Sequence, residues 1–514
     1  MKLTKYITIF FVLFFLTAPL TVFCNSTHII KEIQKQNFEE NQNISIIRIA
    51  QYPRYAGCDS LFDYIFNYHW QSNGNIYYFN LTELTLDEIS GKGKKPLTVD
   101  NFDLLVVGAS FDSFYKHGFN KKHLNNIRKF VSDGGGYLSV CAGTVFSTRG
   151  YEKPDKFYKK YINNNALKIS NVYLNLDWSG EAQYIFKMGD KSTGLVPLEC
   201  MLVKNNSNPI LNDYFDDTIN ISYGGGPGLY PAESDDPIYG EVTPLLIINE
   251  ELMETKPIHW YMKGLLPGWI PFKKVKTDIK GQYAAIASTY GDGKIVIFNC
   301  HPEIALIENG TIEEYIGRPG GYGFGRFNIP PIRAVFRWNG EHMNMSHNWW
   351  LHRRAAAWIA GVPDSDLPPC NELMVFMDKP IYRYGYHFYL NDTLIGPRFN
   401  FSLLNPPFDF PKIERSRLLS WIMGKFVSNR ISKVVNLMGI TVIVGDITVI
   451  AYVENSNIVE FYLDDVLEFT DTLPPFEWKL DKNNLNGIHR LELRAYDEYG
   501  NCAFDGSDFF FINT

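Results

Sequence analysis

From residue 43 onward the apolar positions follow two different periods. Residues 44–50 (ISIIRIA) form a short, nearly continuous apolar run, suited to a buried parallel strand. Between Asp59 and Trp70 the apolar residues fall at Leu61, Phe62, Ile65, Phe66 and Trp70, a helical spacing. Residues 76–81 and 103–108 read as second and third strands. Residues 120–132 place Leu124, Ile127, Phe130 and Val131 on one face, which predicts a second amphipathic helix. Gly134, Gly135 and Gly136 end it, and residues 137–140 form a fourth strand. Strands and helices alternating over short connections predict an α/β domain, with a parallel sheet covered by helices.

After Gly150 the pattern loosens into strand-like pieces around 166–174, 182–187, 198–203 and 282–288. Asp292-Gly293 signals a hairpin between residues 284–289 and 294–299. A helix is expected at 348–360 (NWWLHRRAAAWIA), stopped by Gly361 and Pro363. Eight prolines between Pro363 and Pro411 predict a linker or extended strap, with a short helix at 415–426. From Ile440 only strand-like alternation remains, with turn residues every eight to twelve positions, which predicts a small β-sandwich.

Lys2 and Lys5 precede an uncharged apolar run, residues 7–23, and a polar stretch at Asn25-Ser26-Thr27. This is the shape of a secretory signal; an uncleaved N-terminal membrane anchor is the alternative. The resulting division is 1–24 signal or anchor, 25–42 linker, 43–363 α/β domain, 364–430 proline-rich linker and 431–514 β domain. The expected location is extracellular or at the cell surface. Sequons at Asn25, Asn43, Asn80, Asn205, Asn220, Asn309, Asn344, Asn391 and Asn400 then become candidate glycosylation sites.

Composition narrows the function. The chain has 514 residues with 49 basic and 56 acidic side chains, a net charge of −7, so the basic face of a nucleic-acid binder is not expected. Aromatic residues at 15% are ample for large cores and are read as packing before any sugar platform. His342, His347 and His352 recur every five residues and share no helical face, so no metal site is expected. Glu233, Asp235 and Asp236 read as a solvated loop.

The most informative position is Cys141. It follows an apolar strand and precedes Ala142-Gly143 and a helix. A nucleophile at such a bend is exposed, with backbone N–H groups beside it to meet an oxyanion. The bland reading is a buried core cysteine. His301-Pro302-Glu303 directly follows another strand, and a cysteine nucleophile needs an imidazole base oriented by a carboxylate. In open α/β sheets such chemistry gathers at the carboxyl ends of strands.

Gly134-Gly135-Gly136-Tyr137-Leu138-Ser139-Val140-Cys141-Ala142-Gly143 and Ile297-Phe298-Asn299-Cys300-His301-Pro302-Glu303 resemble the two signatures of class I glutamine amidotransferase-like domains. The version most resembled is the N-terminal domain of eukaryotic biotin–protein ligases. Ala56-Gly57-Cys58, Val107-Gly108 and Tyr223-Gly224-Gly225-Gly226-Pro227 add to the likeness, which runs from about residue 43 to 363. The resemblance implies a flavodoxin-like sheet and a triad of Cys141, His301 and Glu303. It also implies an oxyanion hole from the N–H groups of Gly108 and Ala142, and a substrate-binding loop at Tyr223, Gly224, Gly225 and Gly226. No cofactor is implied. The departures are Ser139 for the usual first glycine of the elbow and Gly108-Ala109-Ser110 for the usual Pro-Gly-Gly. The ligase's catalytic domain is missing, and the Gly-rich stretch 317–325 lacks its Gly-Arg-Gly-Arg pattern.

Residues 459–464, 470–478, 487–489 and 495–501 resemble a bacterial-type immunoglobulin-like domain of surface proteins, a spacer or adhesive unit. The expected partners are a small-molecule or peptide amide substrate and, through this domain, cell-surface or envelope components. Two functions stand: an exported cysteine hydrolase of C–N bonds, or a catalytically idle surface ligand-binding protein. Seven cysteines decide between them, because a disulfide from Cys141 to Cys58 or Cys300 would silence the nucleophile. Cys24 leaves with a cleaved signal, and Cys200, Cys370 and Cys502 are the remainder.

Overall fold

The computed structural model describes residues 43–53, 62–109, 121–175, 196–204, 208–224, 226–255, 260–263, 269–273, 278–307, 311–315, 335–339, 345–382, 386–395, 440–481 and 485–512. The N-terminal segment, Ala56-Gly57-Cys58, Ser110, the strand-like piece at 182–187, Gly225, the stretch 317–325, His342 and the helix expected at 415–426 lie outside these residues. So do the sequons at Asn25, Asn205, Asn309, Asn344 and Asn400.

The first half builds β1 (Asn43–Gln51), α1 (Phe62–Phe66), β2 (Tyr68–Ser72), β3 (Asn75–Glu83), β4 (Leu104–Val107), α2 (Lys121–Ser132), β5 (Gly136–Val140) and α3 (Ala142–Ser147). It continues with β6 (Val196–Leu202), β7 (Thr218–Tyr223), β8 (Thr243–Ile248), β9 (Tyr283–Tyr290), β10 (Gly293–Phe298) and α4 (Trp349–Ile359). Parallel pairing runs β3–β1–β4–β5–β10 across the sheet. In chain order these strands stand second, first, third, fourth and fifth. Beyond β10 the sheet turns antiparallel through β9, β8, β6 and β7. The result is mixed α/β with large sheets and few helices.

The central strands are apolar because both faces are covered. β4 and β5 are buried at every position. Helix α2 buries Leu124, Ile127, Phe130 and Val131, the face its spacing predicts. Helix α4 presses so closely on the start of β5 that a Cβ at Gly136 would lie 1.9 Å from Ile359 Cγ2. Only glycine fits there.

Three expectations are corrected. The helix expected across 59–70 closes at Phe66, and Trp70 lies in a strand. The cause is Asn73-Gly74: both have positive φ, 47° and 77°, and join β2 to β3 as a two-residue hairpin. The later hairpin turns on Gly291-Asp292, one residue before the expected pair, since Tyr290 faces Gly293. The expected linker at 364–430 instead supplies strands β11 (Met374–Lys379) and β12 (Tyr386–Leu390). Both are proline-free segments between prolines, and the pairing partners that make them strands lie far along the chain.

Those partners belong to the C-terminal β region: β13 (Ile440–Val444), β14 (Ile447–Glu454), β15 (Ile458–Leu463), β16 (Val466–Asp471), β17 (Phe476–Leu480), β18 (Gly487–Tyr496) and β19 (Cys502–Ile512). One sheet runs β12–β13–β19–β18–β15–β16, and a second runs β11–β14–β17. Buried Asp505 joins them, accepting from the Met377 N–H (2.8 Å) and the Tyr382 hydroxyl.

This region is docked on the α/β sheet by main-chain pairing. β2 pairs with β19 at Tyr68–Ala503 and His69–Cys502. Trp70 Nε1 donates to the Asp366 carbonyl (2.7 Å), and His347 Nδ1 meets Glu454 Oε1 at 3.1 Å. Arg353, 1% exposed, donates to the carbonyls of Ile65 (2.9 Å) and Leu373 (2.7 Å) and lies over the Tyr68 ring. Burial opposes its charge, and the nearby Glu372 carboxylate and these carbonyls hold it.

Candidate active site

Cys141 sits between the last residue of β5 and the first of α3, with φ 47° and ψ −109°. Few non-glycine residues occupy this region, and the strain is maintained by the surroundings. The Cys141 N–H donates to the Phe298 carbonyl (2.9 Å), tying the bend to β10. Thr144 Oγ1 donates to that same carbonyl (2.6 Å) and lies 3.1 Å from Ser139 Oγ. Ser139 therefore stands at the elbow as a fully buried hydrogen-bonding residue. Gly143 permits close approach: a Cβ there would lie 2.5 Å from the Val107 carbonyl oxygen. That contact also brings the backbone at Gly108 beside the elbow. The Ala142 N–H belongs to the first helical turn, whose donors have no intrahelical partner.

His301 follows β10, whose register sets Phe298 against Val140 of β5. The two residues therefore emerge side by side at the carboxyl ends of adjacent parallel strands. His301 is fixed by its own N–H, which donates to the Ser222 carbonyl (2.8 Å) at the end of β7. Its Nδ1 lies 2.8 Å from Glu303 Oε1, and both side chains are 2% exposed. Burial opposes charge on each, yet the pair's mutual attraction prevails. The His301 pKa is raised, by Glu303 first and the Cys141 sulfur next, and the Glu303 pKa is lowered. The other ring nitrogen interacts with Cys141 without a closed hydrogen bond. Such loose geometry is ordinary before substrate binds.

Cys141 is a free, partly exposed thiol, and Cys300 is also free, so the two are not bridged. Burial pushes the thiols of Cys200, Cys300 and Cys502 up and that of Cys370 to about 11. Those four stay protonated and inert near neutrality.

Of the expected substrate-binding loop, Tyr223, Gly224 and Gly226 are buried. Tyr223 is fully buried and its hydroxyl donates to the Gly226 carbonyl (2.7 Å), so its side chain braces the loop from within. Gly226 abuts the chain next to Cys300: a Cβ would lie 1.8 Å from the Asn299 carbonyl oxygen. Gly224 is buried beside it. The loop supports the strand end that carries His301.

Two residues absent from the expected site touch Glu303. Trp349 Nε1 donates to its carbonyl (3.2 Å), and His352 Nε2 lies 3.8 Å from its Oε2. Their i, i+3 spacing on α4 was the available signal. No group of three or more potential metal ligands occurs among the described residues.

A cleft of about 1230 Å³ lies where the α/β and β regions meet, lined by Phe215, Asn220, His347, Trp350, Glu372 and Tyr499 among others. None of the three triad residues lines it.

Residues 95–156 match the family of the biotin-protein ligase N-terminal domain. The match spans Gly108, Cys141 and Ala142 and ends before His301. No curated protein matches the chain. Among solved structures, the fibronectin(III)-like modules of Clostridium thermocellum CbhA are 20% identical, covering 14% of this chain and 84% of theirs, at a TM-score of 0.13. A cytoplasmic protein of Salmonella typhimurium LT2 is 14% identical over 49% of this chain and 87% of its own, at 0.25. A beta-galactosidase of Bacillus circulans sp. alkalophilus is 7% identical over 43% and 22%, at 0.22. At these TM-scores the likenesses carry no argument.

Proposed function

We propose that the protein is an exported cysteine hydrolase of C–N bonds, amide or peptide, built on a flavodoxin-like, glutamine amidotransferase-like domain. The spatial strand order second, first, third, fourth, fifth supports the flavodoxin-like reading. The observation that carries the activity is the strained Cys141 elbow held to the strand that delivers His301. In the reaction, Cys141 Sγ attacks the carbonyl carbon and His301 takes the thiol proton, then passes it to the leaving amine. Glu303 holds the ring through Nδ1, and the N–H groups of Ala142 and Gly108 receive the oxyanion. Water then releases the acyl group and regenerates the thiol.

The basic, apolar start of the chain supports export, and the proposal extends to a surface position with an immunoglobulin-like C-terminal region. No described helix is long and apolar enough to cross a membrane. The test is hydrolysis of a panel of small and peptide amides by the intact protein and by Cys141→Ala. Loss of turnover in the variant is expected; full activity without the thiol overturns the proposal. The junction cleft favours a second reading, a surface ligand-binding protein, which predicts saturable binding without turnover.

A further inference from the structure

We propose that His352, with Trp349 one turn before it, is a positioning residue for Glu303, extending the line Cys141–His301–Glu303 to a fourth member. The proposal rests on the triad reading above. Glu303 uses Oε1 for His301, which leaves Oε2 to be oriented in a site closed to water. That oxygen faces His352 Nε2 at 3.8 Å. The distance exceeds a direct hydrogen bond and is within the range of a charge–dipole contact.

Three observations separate His352 from an ordinary core histidine. It is fully buried, and neither ring nitrogen has a hydrogen-bond partner. A buried imidazole left so would cost free energy without return, and the carboxylate it faces is that of Glu303. Its ring is also held edge-on to Phe62 (5.7 Å, 81°) and Phe298 (5.3 Å, 85°), so its orientation is set by packing. Finally, the same helix face grips Glu303 a second time, through Trp349 Nε1 on the main-chain carbonyl. Arg353, the adjacent cation, is committed elsewhere, to Ile65 and Leu373. Helix α4 thus holds both the backbone and the carboxylate of Glu303, so that Oε1 stays on His301 Nδ1. A carboxylate free to rotate would release the ring that serves Cys141.

The test measures the alkylation rate of Cys141 by iodoacetamide at pH 7 in the full chain, read by peptide mass. It needs no knowledge of the substrate. His352→Phe is expected to slow alkylation about tenfold, the scale of losing one hydrogen bond to a charged group. His352→Gln, which keeps a donor at the Nε2 position, is expected to recover most of the rate. In a Glu303→Gln background His352→Phe is expected to add nothing, because its effect passes through that carboxylate. Trp349→Phe provides a second variant should His352→Phe fail to fold, with the same non-additivity expected. Unchanged alkylation in both His352→Phe and Trp349→Phe, losses that multiply with Glu303→Gln, or no recovery in His352→Gln overturns the inference alone. If Glu303→Gln itself matches the parent protein, the triad reading fails and this inference with it.

Discussion

The Cys141 N–H donates to the Phe298 carbonyl across 2.9 Å, and this bond joins the strand that ends in the nucleophile to the strand that delivers the base. The hydrogen bond sits one step beyond the last register pair of β5 and β10, Val140 with Phe298. Parallel pairing therefore continues into the elbow, and the strained φ of 47° at Cys141 is imposed by the sheet.

Thiol selectivity follows from burial. Under native conditions at pH 6.5, limiting iodoacetamide is expected to modify Cys141 first, with buried Cys200, Cys300 and Cys502 protected until denaturant is added and partly exposed Cys370, its thiol pKa pushed up to about 11, reacting more slowly. Peptide mass mapping reads the order. Equal labelling of Cys370 would show that the elbow confers no activation.

Glycine at 143 is a steric requirement. Gly143→Val would force a side chain against the Val107 carbonyl, 2.5 Å from the Cβ position. A loss of about 1–3 kcal/mol in urea unfolding is expected, together with slower alkylation of Cys141. Gly226→Ala, 1.8 Å from the Asn299 carbonyl oxygen, is expected to destabilise similarly and to displace the His301 loop.

The His301–Glu303 pair predicts a bell-shaped contribution to stability. Glu303 has a lowered pKa, so its contribution is present above the ordinary carboxyl value, about 4.3, and fades as pH falls below it. His301 has a raised pKa, so its contribution is complete below the ordinary imidazole value, about 6.5, and fades as pH rises above it. The stability difference between the parent protein and Glu303→Gln should peak between these values and shrink on both sides. Urea midpoints from acid to alkaline pH measure it; a flat difference would mean the pair is not ionised.

Arg353 fastens the helix bearing Trp349 and His352 to α1 at Ile65 and to Leu373, just before β11. Arg353→Met keeps the bulk and leaves the carbonyls of Ile65 and Leu373 without their donor. A loss of about 2–4 kcal/mol is expected from two unpaired buried acceptors. Arg353→Lys should recover little, since one ammonium cannot span both carbonyls with a planar fork. Denaturant unfolding of the full chain checks both.

Local order was legible wherever a residue's neighbours in sequence set its conformation. The face of α2, the four expected strands of the first half and the strand-to-helix bend at Cys141 are all local patterns, set by a period or a dipeptide. The chain leaves the helix before Trp70 for a local reason as well, because Asn73-Gly74 turns β2 back onto β3. Strands β11 and β12 differ. The prolines around them suggest a strap, while the partners that make them strands lie some fifty to eighty residues away in the chain.

The sequence by itself determined the chemistry available: a cysteine at a bend, a histidine and glutamate two apart, and small residues where the backbone must turn sharply. Only the tertiary structure decided what stands beside what. It set Cys141 next to His301 through strand register, brought Trp349 and His352 onto Glu303 through helix docking, and buried Tyr223 as a brace behind the loop. It also fused the C-terminal β region to the α/β sheet through Tyr68–Ala503 pairing. Residue type and spacing act over a few positions, whereas contacts between distant segments depend on which surfaces the whole chain can bury together.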